Sequence, residues 1–190
     1  MTKAKQSNDY FTLSFKLMLI VALVVLVLAV VNSFTAGMIA DRQAAAGRQA
    51  RQALIPQAKE FEKIDAALTE EEAKTVSDIY LAKDGDTHFG YCVDVAPSGF
   101  GGGIEMIVAF SLDNKIYGIQ IISHSETPGI GAKVLAEDGG LLTQYNDIST
   151  TSLGSVSAVS GATVTSNAVH SGVSAATQIV ERLIQEGGNK

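Results

Sequence analysis

The chain has 190 residues, 46% of them hydrophobic, with 14 Lys and Arg against 20 Asp and Glu for a net charge of −6. That length holds one soluble domain beside one apolar segment, and the charge is uneven: residues 1–33 carry net +2, leaving 11 basic and 19 acidic residues beyond them. So acidic a domain argues against nucleic acid as a partner, since phosphate backbones are bound by clustered Lys and Arg, and the lone Cys92 leaves no internal disulfide, Cys-based zinc site or iron–sulfur cluster to build.

The first predicted element is a membrane span over residues 16–40, following a short cytoplasmic N-terminus of residues 1–15. Residues 17–31, LMLIVALVVLVLAVV, contain no polar side chain, and NSFTAGMIA extends the run to Ala40. About twenty such residues cross the ~30 Å hydrocarbon layer. A cleaved signal peptide is disfavoured by the long segment before the apolar run and by the lack of a clean small-x-small site behind it. Lys3, Lys5 and Lys16 are matched by Arg42, Arg48 and Arg51, so the flanking charges alone give no orientation.

Residues 41–84 read as a helical stalk and cap. DRQAAAGRQARQALI is rich in helix formers until Pro56; QAKEFEKIDAALT and TEEEAKTVSDIYLAK follow as further helices, the latter with Glu70, Glu71 and Glu72 as a solvated acidic opening turn. From Thr87, in the domain expected over residues 85–190, the period changes to two. Strands are predicted near 88–96, 104–111 and 115–123, the last two joined by a DNK turn, as the start of an antiparallel meander. The fold class is therefore α+β, a single N-terminal transmembrane helix followed by a domain with an antiparallel sheet and packed helices.

Two glycine loops interrupt the β region. SGFGGG, residues 98–103, lacks the GKS or GKT ending of a phosphate loop and reads as a mobile strand connector. In SETPGIGAK, residues 125–133, Pro128 and Gly129 set a turn, and Gly131 lets the backbone approach something closely. Downstream, Val169, Val173, Ala176, Val180 and Leu183 form the apolar stripe of a surface helix closed by Gly187 and Gly188. GSVSAV before it alternates like a short strand, which puts SGATVTS at a strand-to-helix junction. There the free amides and the helix dipole suit a phosphate, Gly161 and Ala162 leave room, and Ser160, Thr163, Thr165 and Ser166 offer hydroxyls. Those hydroxyls could equally cap the helix, and the residues alone leave both readings open.

SGAT at residues 160–163 resembles the flavinylation motif of FMN-binding domains, in which a threonine hydroxyl carries FMN through a phosphoester. IISHSETPGIGAKV is similar to the loop that in this family precedes the motif and packs along the isoalloxazine ring. With the anchor and the short length, the chain resembles the G subunits of Rnf ion-translocating electron transport complexes; the C subunits of sodium-translocating NADH:quinone reductases are built similarly. The family motif commonly has an acidic residue where this chain has Ser157. The resemblance implies FMN on Thr163, with Thr165 the rival acceptor, and contacts from Ser160, Gly161, Ala162, Val164, Glu126, Thr127, Pro128, Gly129, Ile130 and Gly131. It implies no catalytic acid or base and no metal, and His88, His124 and His170 are too scattered to form a metal set. It further implies electron flow between ferredoxin and NAD coupled to sodium or proton movement, with other membrane subunits, the bilayer and a flavin transferase as partners. The soluble domain would lie on the extracytoplasmic side of the cell membrane. A free-standing anchored flavoprotein and a membrane-anchored binding domain without a flavin are the competing readings.

Overall fold

The computed structural model describes residues 3–136 and 140–187. It divides into two units, Met1–Ala45 and Ala46–Lys190, considered separately. In the first, helix α1 (Lys3–Leu54) begins and carries the apolar run, with mean hydropathy 2.9 over eighteen residues and exposed Leu, Val and Ile side chains. Its few polar residues do not break the pattern: Ser33 and Thr35 donate their hydroxyls to the carbonyls of Ala29 and Val31, four residues back, at 2.9 and 2.8 Å. Such self-pairing is what an apolar solvent demands of a hydroxyl. By length and composition the helix is able to cross a membrane.

The second unit is built on a six-stranded sheet in simple sequence order, every neighbour antiparallel: β1 (Glu60–Lys63), β2 (Val76–Asp84), β3 (Thr87–Val95), β4 (Ile104–Ser111), β5 (Lys115–His124) and β6 (Ile148–Ser149). β3, β4 and β5 fall where alternation places them. Strand β4 is apolar on both faces and both are covered. Ile104, Met106, Val108 and Phe110 point to the main core, while Ile107 and Ala109 point to a second cluster with Ile55, Ala58, Ala82 and Cys92. Helix α3 (Thr163–Gly187) lays Val169, Val173, Ala176 and Val180 onto the first face, all fully buried, with Leu183 half-buried at the end of the stripe. Gly188 lies outside the described residues. The Cys92 thiol is buried and its pKa is pushed up to about 12 by burial, which fits a core residue rather than a reactive one.

Three expectations are corrected. The sheet begins at Glu60, not Thr87: residues read as a helical cap form β1, a 3-10 turn (Glu72–Lys74) and β2. Glu72 is not part of a solvated face. It is buried, accepts the Thr69 amide at 2.8 Å and pairs with Arg182 of α3 at 3.2 Å, contacts that hold its carboxyl below the usual range, the Thr69 amide foremost. Residues 154–159 are not a strand: a 3-10 segment (Thr150–Ser155) leads into extended backbone at Val156. On the second face of the sheet, Arg51 in the last turn of α1 pairs with Asp94 of β3 and stacks over Tyr80, 3.7 Å from the ring centroid. Burial still raises the Asp94 carboxyl against the pull of Arg51.

Candidate functional site

The segment before α3 is held from outside rather than by a ladder. Gln144 clamps the Ser157 backbone in both directions: its amide oxygen accepts the Ser157 N–H at 2.9 Å and its amide nitrogen donates to the Ser157 carbonyl at 3.3 Å. The chain then turns through Gly161, whose φ of +85° is a conformation that costs an L-residue about 1–2 kcal/mol. Ala162 precedes the helix, and its carbonyl accepts the first helical bond, from Ser166 N at 3.0 Å. Ala162 therefore holds the N-cap position, and Ala has no oxygen with which to cap. The amides of Thr163, Val164 and Thr165 meet no acceptor among the described residues.

The four hydroxyls of SGATVTS separate sharply. Ser166 is buried and engaged on both sides, accepting Val159 N–H at 3.1 Å and donating to the Ala162 carbonyl at 3.0 Å. Thr165 is 2% exposed and donates to Glu126 Oε2 at 2.9 Å. Ser160 and Thr163 are exposed, beside a Gly161 whose missing Cβ would meet nothing within 4 Å. Open space, unpaired amides and a free alcohol thus coincide at Thr163, which is what an anionic group attached through a hydroxyl needs.

Glu126, in the turn 125–131, lies at the middle of this arrangement. It is 5% exposed; one carboxylate oxygen takes the Thr165 hydroxyl, and the other takes the Gly101 amide at 3.1 Å. Its own amide donates to His124 Nδ1 at 3.3 Å. The TPGIG turn closes on itself, Thr127 O accepting from the amides of Ile130 and Ala132 at 3.2 Å, and leads into the short helix α2 (Gly131–Val134). Gly129 takes φ +80° in open space. Gly131 is buried, and a Cβ there would collide with Glu126 Oε2 and come within 2.8 Å of Thr165 Oγ1, so the close approach expected from the sequence is to these two side chains. Thr127, Pro128, Ile130 and Val164 are exposed, the last two at 55% each.

Sequence reasoning missed the SGFGGG loop. It is no free connector: Gly101 is bound by Glu126, Gly99 N–H donates to Gly102 O at 2.7 Å, and a Cβ on Gly99 would strike Glu126 Oε1. Phe100, 73% exposed, stands between those two glycines. Phe100, Ile130 and Val164 are thus exposed apolar residues each next in sequence to a residue packed on Glu126: Gly101, Gly131 and Thr165. The readable signal was an aromatic flanked by glycines in a loop, since no core explains it. Beside the same turns of α3 a cavity of about 170 Å³ is lined in part by Ala158, Ser166, Asn167, His170 and Tyr145. The buried Tyr145 hydroxyl, its pKa pushed up to about 12 by burial, lies 3.2 Å from His170 Nδ1. No cluster of His, Cys, Asp and Glu able to hold a metal occurs among the described residues.

Residues 99–178, which take in the glycine loop, the turn carrying Glu126 and the start of α3, match the family described as the FMN-binding domain, so the second unit is a flavoprotein domain of the α+β class. Along nearly its whole length the chain is also 33% identical to the G subunit of the Na(+)-translocating ferredoxin:NAD(+) oxidoreductase complex of Acetobacterium woodii, covering 96% of this chain and 98% of that one. It is 30% identical to the G subunit of the proton-translocating ferredoxin:NAD(+) oxidoreductase complex of Clostridium ljungdahlii, covering 95% and 96%. To the G subunit of the ion-translocating oxidoreductase complex of Methanosarcina acetivorans it is 33% identical, over 76% and 79%. The chain belongs to this family, the G subunits of the Rnf complexes, and with its apolar helix it is membrane-anchored.

Proposed function

We propose that the chain is the anchored flavin relay of an Rnf-type ferredoxin:NAD oxidoreductase coupled to ion movement, carrying FMN as a phosphoester on Thr163. The observation that carries the reading is the exposed Thr163 hydroxyl at the start of α3, beside amides without an acceptor among the described residues and followed by the exposed Val164. FMN, when bound, supplies the electron chemistry. The residues of the chain do the rest. The α3 N-terminus and the amides of Thr163, Val164 and Thr165 favour the phosphate; Ser160, Gly161 and Ala162 shape the approach. Phe100, Ile130 and Val164, with Thr127, Pro128 and Gly129, offer a surface to the ring, while Glu126, Gly131 and Thr165 hold that surface together from beneath. A flavin transferase would find Thr163 accessible and Thr165 closed off. The relatives divide between sodium and proton as the translocated ion, so the coupling ion is not part of the proposal.

Membranes from cells deprived of this chain are expected to lose ferredoxin-dependent NAD reduction and to regain it when the chain is supplied together with its transferase. Recovery with a chain that bears no flavin would contradict the relay.

The domain would face the extracytoplasmic side, with residues 1–15 in the cytoplasm, 16–40 in the bilayer, 41–84 as the connection and the outer strands, and 85–190 as the flavin domain. Because Cys92 is fully buried, single introduced cysteines can report this on a low background. A membrane-impermeant maleimide applied to intact spheroplasts should label Asp113→Cys, an exposed turn position, and leave Ser7→Cys unlabelled until the membrane is opened. The reverse pattern inverts the topology.

A further inference from the structure

Glu126 has a property that flavin binding alone does not call for: it is a buried carboxylate with no Lys or Arg paired to it among the described residues. Its two oxygens instead take one neutral donor each, from different parts of the chain: Gly101 N–H of the glycine loop and Thr165 Oγ1 of α3. The turn that carries it is packed on the same point, because Gly131 leaves no room for a Cβ beside Glu126 and Thr165. Gly99 does the same from the loop side, where a Cβ would strike Glu126 Oε1. Three segments far apart in sequence, residues 98–103, 125–131 and the first turn of α3, are therefore fastened through one carboxyl group. Charge-assisted bonds of this kind are stronger than neutral ones, and losing the acceptor leaves the buried Thr165 hydroxyl unsatisfied and releases the part-buried Gly101 amide.

Building on the flavin reading above, we propose that Glu126 is the positioning residue of the site. Its carboxylate locks the glycine loop and the TPGIG turn to α3, setting Phe100, Ile130 and Val164 around the acceptor, and it leaves an unneutralised negative charge beneath the place where the flavin is held. Such a charge opposes the addition of electrons to a neighbouring group and so lowers the flavin's potential.

Replacement by Gln separates the two effects. The Gln oxygen can accept from Gly101 N–H while its NH2 donates to the Thr165 hydroxyl, which rotates to accept, so Glu126→Gln keeps the fastening and loses only the charge. The test uses the full chain in detergent. In the flavin-free protein, the Gly101 amide should be protected from hydrogen exchange in wild type and in Glu126→Gln, and should exchange at least tenfold faster in Glu126→Ala. Should that variant not fold, Thr165→Val, which frees one carboxylate oxygen, should also speed exchange at Gly101. After flavinylation, Glu126→Gln should carry the flavin to the same extent as wild type but with a more positive midpoint potential. Equal Gly101 exchange in wild type and in the Ala or Val variant would overturn the proposal, as would an unchanged potential in Glu126→Gln. The exchange arm needs no flavin, so a wild-type chain that never acquires one would sink the functional reading while leaving the fastening role to be judged by itself.

Discussion

The Thr163→Ala chain is expected to fold and reach the membrane normally and to carry no covalent flavin. Thr163 is exposed, opens the helix, and makes no hydrogen bond through its hydroxyl among the described residues, so its removal should change stability by no more than about 0.5 kcal/mol, the usual range for an exposed site. Attachment, by contrast, should fall from complete to none, because the reacting oxygen is gone. Thr165→Ala should do the opposite. It leaves Glu126 Oε2 without its partner in a buried site, a loss of about 1–3 kcal/mol, yet keeps the flavin in the molecules that fold. Thr163→Ser should retain attachment if the transferase requires only an alcohol at that place. Denaturation curves together with in-gel flavin fluorescence measure both halves; fluorescence surviving in Thr163→Ala and vanishing in Thr165→Ala would move the acceptor to Thr165.

The second large effect is expected at Gly131. From the sequence alone, Gly131→Val would be a probe of the ring, crowding the flavin while sparing the fold. The structure redirects it: the new Cβ points at Glu126 and Thr165, both buried and bonded to each other, so the substitution should part them. Overpacking of this kind costs about 1–3 kcal/mol. We expect a fall in melting temperature of the flavin-free chain and, with it, a several-fold drop in flavinylation. Gly129→Ala, where the Cβ meets open space, should show only the mild cost of an alanine at φ +80°. Equal stability of Gly131→Val and wild type would mean that Glu126 and Thr165 pack loosely enough to admit the side chain.

What the sequence concealed was concealed for identifiable reasons. The acidic opening turn of TEEEAKTVSDIYLAK points to a helix over β2, and its buried residues Val76, Ile79 and Ala82 do recur every third position, the helical interval. The register irregularity between Val76 and Asp78 sets Val76 and Ile79 three residues apart in one core, while Ala82 is buried in the second cluster because both faces of the sheet are covered. Strand β1 hid behind charge. EFEK has the propensity of a helix, but as the edge strand it is held by Glu62 to Lys83 and Lys63 to Asp78, both at 2.5 Å, and charged side chains are how an edge is kept from pairing with strangers. Where no bulge intervened, as in the middle of β4, and where the apolar stripe ran unbroken, as in α3, the pattern was plain. The site was half legible. SGAT and TPGIG could be recognised as two motifs, but their junction could not, since Glu126 meets Thr165 across 39 residues and Gly101 across 25. Nothing in local sequence encodes such a meeting; it arises from the order of strands β4 and β5 and the packing of α3 against the sheet.

Relay function, site geometry and the role of Glu126 all converge on a covalent bond at one oxygen. Proteolysis of the wild-type chain, made in cells that also make the flavin transferase, followed by fragment mass spectrometry, addresses that bond directly. The expected product is the peptide spanning residues 157–171 carrying the mass of one FMN less one water, with fragmentation placing it on Thr163. That peptide at its unmodified mass, in cells where the transferase is shown to act on another acceptor, would contradict it.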